Sequence, residues 1–150
     1  MVKQTAVIGA GTMGRGIAFA TALHGIHVTL QDINEEVLEQ SKAYMKEQFD
    51  VAVKLGKTTE ADATKNLENI HYTTSIEEAA KEADLVIEAV LELMDLKIEI
   101  FQKLDEITPR HAILATNTST MSPTEIAAAT TRPDQCVALH FFNPVPKMKL

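Results

Sequence analysis

Short apolar runs alternate with segments of helical periodicity along the chain, and this alternation restricts the fold more than any other feature. Antiparallel neighbours can be joined by a short hairpin turn, whereas parallel neighbours need a long crossover connection, usually a helix. Strands that alternate with helices are therefore typical of a parallel sheet. The alternation therefore predicts an α/β fold, a doubly wound and mostly parallel sheet with helices on both faces. The predicted strands cover residues 5–8, 27–30, 70–73, 84–90 and 112–115, and a sixth includes residues 137–139 and ends at His140.

Start and stop signals place helices between these strands. Asn34, Ser75 and Ser122 have the short polar side chains that cap helix N-termini, and Gly25 and Gly56 stand where helices are expected to end. The predicted helices cover about residues 13–23, 35–55, 60–67 and 96–107, with two more after Ser75 and Ser122.

Length and charge limit the class of protein. The chain has 150 residues, 45% of them hydrophobic, which suits one domain with one substantial core. A net charge of −7 with dispersed acidic residues disfavours a nucleic-acid or anionic-membrane partner. We expect a cytoplasmic domain, since the sequence has no signal-peptide layout and no apolar run of membrane-spanning length. Cys136 is expected to be a small buried core residue rather than a reactive thiol, and no residue spacing predicts a metal site.

A glycine motif connects the first predicted strand with the first predicted helix. Gly9 permits a tight turn, Gly11 lets a pyrophosphate approach the backbone, and Gly14 allows close helix–strand packing. Thr12 and Met13 lie within the turn, where the helix N-terminus offers amide donors and a partial positive charge to phosphates. The motif predicts a dinucleotide site; the alternative is a glycine-rich turn without a ligand.

Asp32 follows the second predicted strand, at the position where a carboxylate binds the adenosine ribose hydroxyls. The next residue, Ile33, cannot neutralise a 2′-phosphate, which a carboxylate would repel. NAD is therefore favoured over NADP as the cofactor. The alternative is that Asp32 only caps the next helix.

Two carboxylates flank the end of the fourth predicted strand, close to the expected cofactor crevice. We expect Lys97 to offset the cost of placing Glu92 there, whereas Glu88 is deeper in the apolar run and is expected to be satisfied by backbone amides. A solvated surface carboxylate remains the alternative for Glu92.

Polar residues follow the fifth and sixth predicted strands at the same edge of the sheet. Asn117 and Ser119 can hold a nicotinamide or orient a substrate oxygen, although a loop that merely caps the next helix would look similar. His140 is the best candidate for a general base, because histidine side chains titrate close to working pH. A histidine satisfied at a strand end is the alternative.

Three motifs together carry a resemblance to a known family. They are Gly9-x-Gly11-x-Met13-Gly14-x-Gly16-Ile17-Ala18, Asn117-Thr118-Ser119 and His140-Phe141-Phe142-Asn143-Pro144. In these residues the chain resembles the NAD-binding, Rossmann-type domain of the 3-hydroxyacyl-CoA dehydrogenase family, nearest to its short-chain 3-hydroxybutyryl-CoA members. The resemblance implies oxidation of an (S)-3-hydroxyacyl-CoA to the 3-keto thioester with NAD.

The resemblance also implies a division of roles at the cofactor. Asp32 would bind the adenosine ribose, and Glu92 and Lys97 would lie near the nicotinamide ribose. Asn117 would help to shape the pocket shared by cofactor and substrate.

On the substrate side, Ser119 would hydrogen-bond the reacting oxygen and His140 would remove the hydroxyl proton. Lys54 and Lys57 would meet the CoA phosphates, and Asn143 would contribute to substrate binding.

The family pairs its histidine with a glutamate that would fall just beyond Leu150, and its helical C-terminal domain completes the substrate pocket and forms the dimer. We therefore expect residues 1–150 to be the NAD-binding portion of a longer, homodimeric enzyme, poorly active alone. Two alternatives remain: another NAD-dependent β-hydroxyacid dehydrogenase, and an NAD-binding relative without catalysis.

Overall fold

The structure, a computed structural model, describes residues 1–148, so the last two residues of the expected domain lie outside it. The strands are β1 (Gln4–Ile8), β2 (His27–Gln31), β3 (Ile70–Thr73), β4 (Leu85–Glu88), β5 (Ile113–Thr116) and β6 (Cys136–Ala138). The α-helices are α1 (Thr12–Leu23), α2 (Glu35–Lys54), α3 (Glu60–Glu68), α4 (Ile76–Ala80), α5 (Met94–Ile107) and α6 (Pro123–Ala128). No helix among residues 1–148 combines the length and the apolar character that crossing a membrane requires.

All strand pairs are parallel, in the order β3-β2-β1-β4-β5-β6, which confirms the predicted doubly wound sheet. The chain winds outward from β1 in one direction and from β4 in the other. Adjacent strands of opposite winding leave a crevice beyond their carboxyl ends, because their crossover helices lie on opposite faces.

Two hydrophobic clusters cover the two faces of the sheet, and alternate strand residues contribute to each. Val7 packs in the cluster that contains Phe49 of α2, whereas Ile8 packs in the cluster that contains Phe101 of α5. The expectation of helices on both faces is confirmed.

The predicted capping residues begin the expected helices. The side chains of Asn34, Ser75 and Ser122 accept hydrogen bonds from backbone N–H groups two or three residues ahead. Gly25 and Gly56 have positive φ angles of 78° and 69°, which few residues other than glycine adopt. Local sequence chemistry therefore sets these boundaries.

Two strands end earlier than predicted. β4 stops at Glu88 rather than at residue 90, because the Glu88 carboxylate accepts the Val90 N–H at 3.0 Å and turns the chain. β6 ends at Ala138, and one further ladder bond joins the Leu139 N–H to the Thr116 carbonyl at 3.0 Å. His140 consequently lies beyond the strand, in an exposed segment.

Cys136 packs against the cluster that contains Phe101, as expected of a core residue, but it is only half-buried. It belongs to β6, which lies at the edge of the sheet and is covered less completely than the inner strands. Burial nevertheless raises the pKa of the Cys136 thiol, which keeps it protonated.

A buried ion pair fixes the C-terminal end of α5. The Arg132 Nε donates to Asp105 Oδ1 at 2.8 Å, and both side chains are less than a tenth exposed. The same guanidinium donates to the carbonyl oxygens of Pro109 at 2.7 Å and Asp105 at 2.6 Å. Burial would raise the pKa of Asp105, but hydrogen bonds from Arg132 and Thr131 outweigh it, and the pKa is lowered.

Replacing Arg132 with methionine is expected to lower the free energy of unfolding by about 3 kcal/mol, because the buried Asp105 carboxylate then loses its partner. The control is Arg110→Met, since the Arg110 guanidinium lies 3.8 Å from the same carboxylate but is 76% exposed. This control is expected to cost less than about 1 kcal/mol. Urea unfolding followed by circular dichroism measures both; equal losses would contradict the prediction.

Candidate cofactor and active site

A large crevice lies beyond the carboxyl ends of β1 and β4, where the strand order reverses. Its volume is about 850 Å³. The lining comes from the turns after β1, β2, β3 and β4 and from one side of α5. It includes Gly9, Gly11, Thr12, Met13, Asp32, Ile33, Thr74, Ser75, Ala89, Val90, Leu96, Glu99 and Lys103.

The glycine motif forms one wall of this crevice. Gly9 has a φ of 97°, and a Cβ atom there would approach the Ala89 carbonyl oxygen to 2.7 Å. A Cβ on Gly14 would collide with the Gly9 carbonyl oxygen, whereas one on Gly11 would meet nothing within 4 Å. Gly9 and Gly14 therefore close the turn, and Gly11 leaves its backbone open to the crevice.

The N-terminus of α1 is free to receive an anion. Its N-cap residue, Gly11, provides no side-chain hydrogen bond, and the first turn contains no acidic residue. In α2, by contrast, Asn34 caps the helix and Glu35 and Glu36 occupy the first turn. The first N–H groups of a helix need external acceptors, and phosphates are suitable ones.

Backbone amides hold the Asp32 carboxylate in place at the crevice. Oδ2 accepts the Ala10 N–H and Oδ1 accepts the Asn34 N–H, both at 2.9 Å. The N-cap of α2 is Asn34, whose side chain accepts the Glu36 N–H, so capping α2 is not the main task of Asp32. The position, the glycine wall and the open helix terminus together fit a dinucleotide with a ribose at Asp32.

A buried polar cluster lies at the end of β4, and in it the predicted ion pair of Lys97 with Glu92 is accompanied by a shorter one with Glu88. Lys97 Nζ is 2.7 Å from Glu88 Oε2 and 3.6 Å from Glu92 Oε2. Glu88 does accept the Val90 N–H, as predicted, but it also accepts the Thr116 hydroxyl at 2.9 Å. Lys97 therefore pairs mainly with Glu88, because both side chains are buried whereas Glu92 is 42% exposed.

Glu92 connects this cluster to the loop after β5. Its carboxylate accepts the Thr118 hydroxyl at 2.9 Å and the Ser119 N–H at 3.4 Å. The Ser119 side chain is exposed. Glu92 thus holds the backbone of the loop and leaves the Ser119 hydroxyl accessible.

Asn117 joins the same loop to the segment after β6. Its Oδ1 atom accepts the Phe141 N–H at 2.8 Å, directly beside His140. The His140 ring is exposed and packs against the Phe142 ring, with 4.5 Å between centroids. Two loops that are far apart in sequence are brought together at one edge of the sheet.

A second crevice, of about 250 Å³, lies between α1, α2 and the segment that follows His140. Asn143 lines it, as do Arg15 and Tyr44, whose guanidinium and ring are 4.6 Å apart. Lys54 and Lys57 are exposed and line neither crevice. The structure therefore brings Asn143, but not the two lysines, next to a crevice.

Three further polar residues belong to the site, and sequence reasoning missed one of them. Thr116 and Thr118 accompany Glu88 and Glu92, and Arg15 lines the second crevice. A signal was present for the threonines, since hydroxyl groups directly follow a predicted strand at the ligand edge. Arg15 had no signal beyond its place next to the glycine motif. Among residues 1–148, no three histidine, cysteine or acidic side chains group as metal ligands.

A doubly wound sheet with a glycine turn, a free helix N-terminus and a carboxylate after β2 defines the class of dinucleotide-binding α/β domains. Residues 4–150 match the family model described as the NAD-binding domain of 3-hydroxyacyl-CoA dehydrogenase. The chain belongs to this family.

Individual relatives agree with this assignment. The chain is 45% identical over 149 residues to a probable 3-hydroxybutyryl-CoA dehydrogenase of Bacillus subtilis, covering 99% of this chain and 52% of the relative. It is 41% identical over 155 residues to the mitochondrial hydroxyacyl-coenzyme A dehydrogenase of Rattus norvegicus, covering 100% of this chain and 49% of that protein. The chain thus spans about half the length of these relatives.

Solved structures give the same result. The 3-hydroxybutyryl-CoA dehydrogenase of Escherichia coli superposes with a TM-score of 0.93 at 42% identity, covering 99% of this chain and 31% of that one. The (S)-3-hydroxybutyryl-CoA dehydrogenase of Ralstonia eutropha superposes with a TM-score of 0.92 at 40% identity, covering 100% and 53%. The predicted fold and family are confirmed.

Replacing Asp32 with serine is expected to weaken NADH binding about tenfold or more, because a hydrogen bond to a charged group contributes about 1.5–3 kcal/mol. Wild type should bind NADPH more weakly than NADH, and the variant should reduce that difference. The control is Asp50→Ser, an exposed carboxylate on α2. Calorimetric titration measures all affinities; tighter binding of NADPH by wild type would refute the assignment.

Proposed function

We propose that this chain is the cofactor-binding portion of an enzyme that oxidises the 3-hydroxyl group of an (S)-3-hydroxyacyl-CoA to the 3-keto thioester with NAD. Short acyl chains are proposed, because relatives at 40–45% identity are named 3-hydroxybutyryl-CoA dehydrogenases. For the whole enzyme, the proposal includes the homodimer implied by the resemblance and the cytoplasmic location expected from the sequence.

One observation carries the proposal beyond cofactor binding: the hydrogen bond between Asn117 Oδ1 and the Phe141 N–H. It ties the segment that contains His140 to the loop that contains Ser119. An imidazole and a hydroxyl are thereby held on neighbouring loops at the ligand edge of the sheet. This pairing of a proton acceptor with a hydrogen-bond donor is what an alcohol oxidation needs from the protein.

The cofactor would be held by residues that already have the required chemistry. The first turn of α1 would bind the diphosphate, Asp32 the adenosine ribose, and Glu92 with Lys97 the nicotinamide ribose end. Bound NAD supplies the two-electron oxidant. The protein's task is to orient the cofactor and substrate and to exclude water from the crevice.

At the substrate, His140 would accept the proton of the 3-hydroxyl group. The accessible Ser119 hydroxyl would donate a hydrogen bond to the same oxygen. Asn117 would hold the two loops next to each other. Asn143 would contact the substrate from the second crevice, with Lys54 at the end of α2 and Lys57 in the turn after it as candidates for the CoA phosphates.

Replacing His140 with alanine is expected to reduce the turnover of acetoacetyl-CoA with NADH by about 10²- to 10⁴-fold, as loss of a general acid–base does. NADH affinity should stay within about twofold, because His140 does not line the crevice of the glycine motif. Turnover is measured by NADH absorbance on the full-length polypeptide that contains the chain.

The matched control is His111→Ala. His111 is also exposed, but its ring is 2.9 Å from Asp84, which directly precedes β4. Asp84 therefore lies at the amino ends of the strands, away from the proposed site at their carboxyl ends. Its turnover is expected to match wild type. Near-normal turnover of the His140 variant would remove this residue from the mechanism.

A further inference from the structure

Glu88 is a buried carboxylate beside the cofactor crevice that has no part in the mechanism above. Its side chain is fully buried, and it accepts hydrogen bonds from Lys97 Nζ, the Thr116 hydroxyl and the Val90 N–H. We propose that Glu88 is a positioning residue, which sets the geometry of the nicotinamide half of the site through Lys97 and Glu92. This inference rests on the proposed function, because that function places Lys97 and Glu92 at the nicotinamide ribose.

Stability alone does not explain a buried ion pair at this position. Removing two charges from water costs about as much as their attraction returns, so an apolar pair of the same size is often equally stable. Nor does α5 need this pair to stay attached to the sheet, because Asp105 and Arg132 fix its other end and Phe101 and Leu104 are buried in the core. What an apolar pair could not supply is directional bonding to three separate elements.

Two of those elements, the turn after β4 and α5, line the crevice, and the third leads into the loop that carries Ser119. The Val90 N–H belongs to the turn after β4, and Val90 itself lines the crevice. Lys97 lies in the first turns of α5, and Thr116 is the last residue of β5. One carboxylate therefore holds the β4 turn, the start of α5 and the start of the Asn117–Ser119 loop in a fixed relation.

The charge on Glu88 also influences the position of the Glu92 carboxylate. Two carboxylates share the one ammonium of Lys97, the buried one at 2.7 Å and the half-exposed one at 3.6 Å. Because Glu88 holds the ammonium, Glu92 is free to accept the Thr118 hydroxyl and the Ser119 N–H. Without the charge on Glu88, Lys97 would attract Glu92 inward and withdraw it from the loop.

The test compares ligands that differ only in the nicotinamide half. In the variant Glu88→Gln, the affinity for NADH is expected to fall at least about tenfold, whereas ADP should bind within about twofold of wild type. ADP keeps the adenosine and diphosphate that bind at Asp32 and α1, and it lacks the nicotinamide ribose that is placed at Lys97 and Glu92. Calorimetric titration of the chain gives both affinities.

The matched control is Asp105→Asn, which neutralises the buried carboxylate at the opposite end of α5. It is expected to lower thermal stability but to leave the affinities for NADH and ADP unchanged. Equal loss of both affinities in Glu88→Gln, or a loss of NADH affinity in Asp105→Asn, would show a general structural effect and overturn the proposal.

A double variant, Glu88→Leu with Lys97→Met, keeps the test decisive if Glu88→Gln folds poorly. The apolar pair is expected to restore thermal stability but not NADH affinity. Wild-type affinity for NADH in the double variant would overturn the proposal. Failure of the wild-type chain to bind NADH would instead overturn the proposed function, whereas binding that is equal in wild type and Glu88→Gln would overturn only the role of Glu88.

Discussion

The parallel pairing of β1 with β4 is the interaction on which the rest of the structure depends. Its ladder continues past the strand ends, where the Ala89 N–H donates to the Ile8 carbonyl at 2.8 Å, and the Gly9 N–H donates to Gln31 on the other side. These bonds bring the glycine turn against the turn after β4, so closely that Gly9 has no space for a side chain. The crevice, the open end of α1 and the buried carboxylate all take their positions from this contact.

The site has two halves that differ in how their polar groups are held. On the adenosine side, backbone amides orient Asp32, and the protein contributes unoccupied helix N–H groups. On the other side, side chains orient one another across β4, α5 and β5, from Glu88 through Lys97 to Glu92. A network of side chains depends on each member, because a buried polar group that loses its partner is costly. The second half is therefore more sensitive to single substitutions than the first.

Most of the fold could be predicted from local signals, and the exceptions have identifiable causes. The caps at Asn34 and Ser122 are properties of a few neighbouring residues, so the helix starts followed directly. The end of β4 did not follow from local signals, because it depends on which hydrogen-bond donors contact the Glu88 carboxylate. The main partner of Lys97 did not follow from the sequence either, since the expected pair with Glu92 forms at 3.6 Å but burial favours the shorter pair with Glu88. The partial exposure of Cys136 required knowing that β6 is an edge strand.

By itself, the sequence determined the strand and helix types, the glycine turn with its following carboxylate, and the identity of the residues that can carry chemistry. These follow from periodicity and from motifs of fixed spacing, which need no long-range information. Only the tertiary structure decided which polar groups meet: Asn117 with the backbone beside His140, and Lys97 with Glu88 rather than chiefly with Glu92. The reason is physical, since the strength of a charge pair or hydrogen bond depends on burial and direction, and both arise only when distant segments pack together.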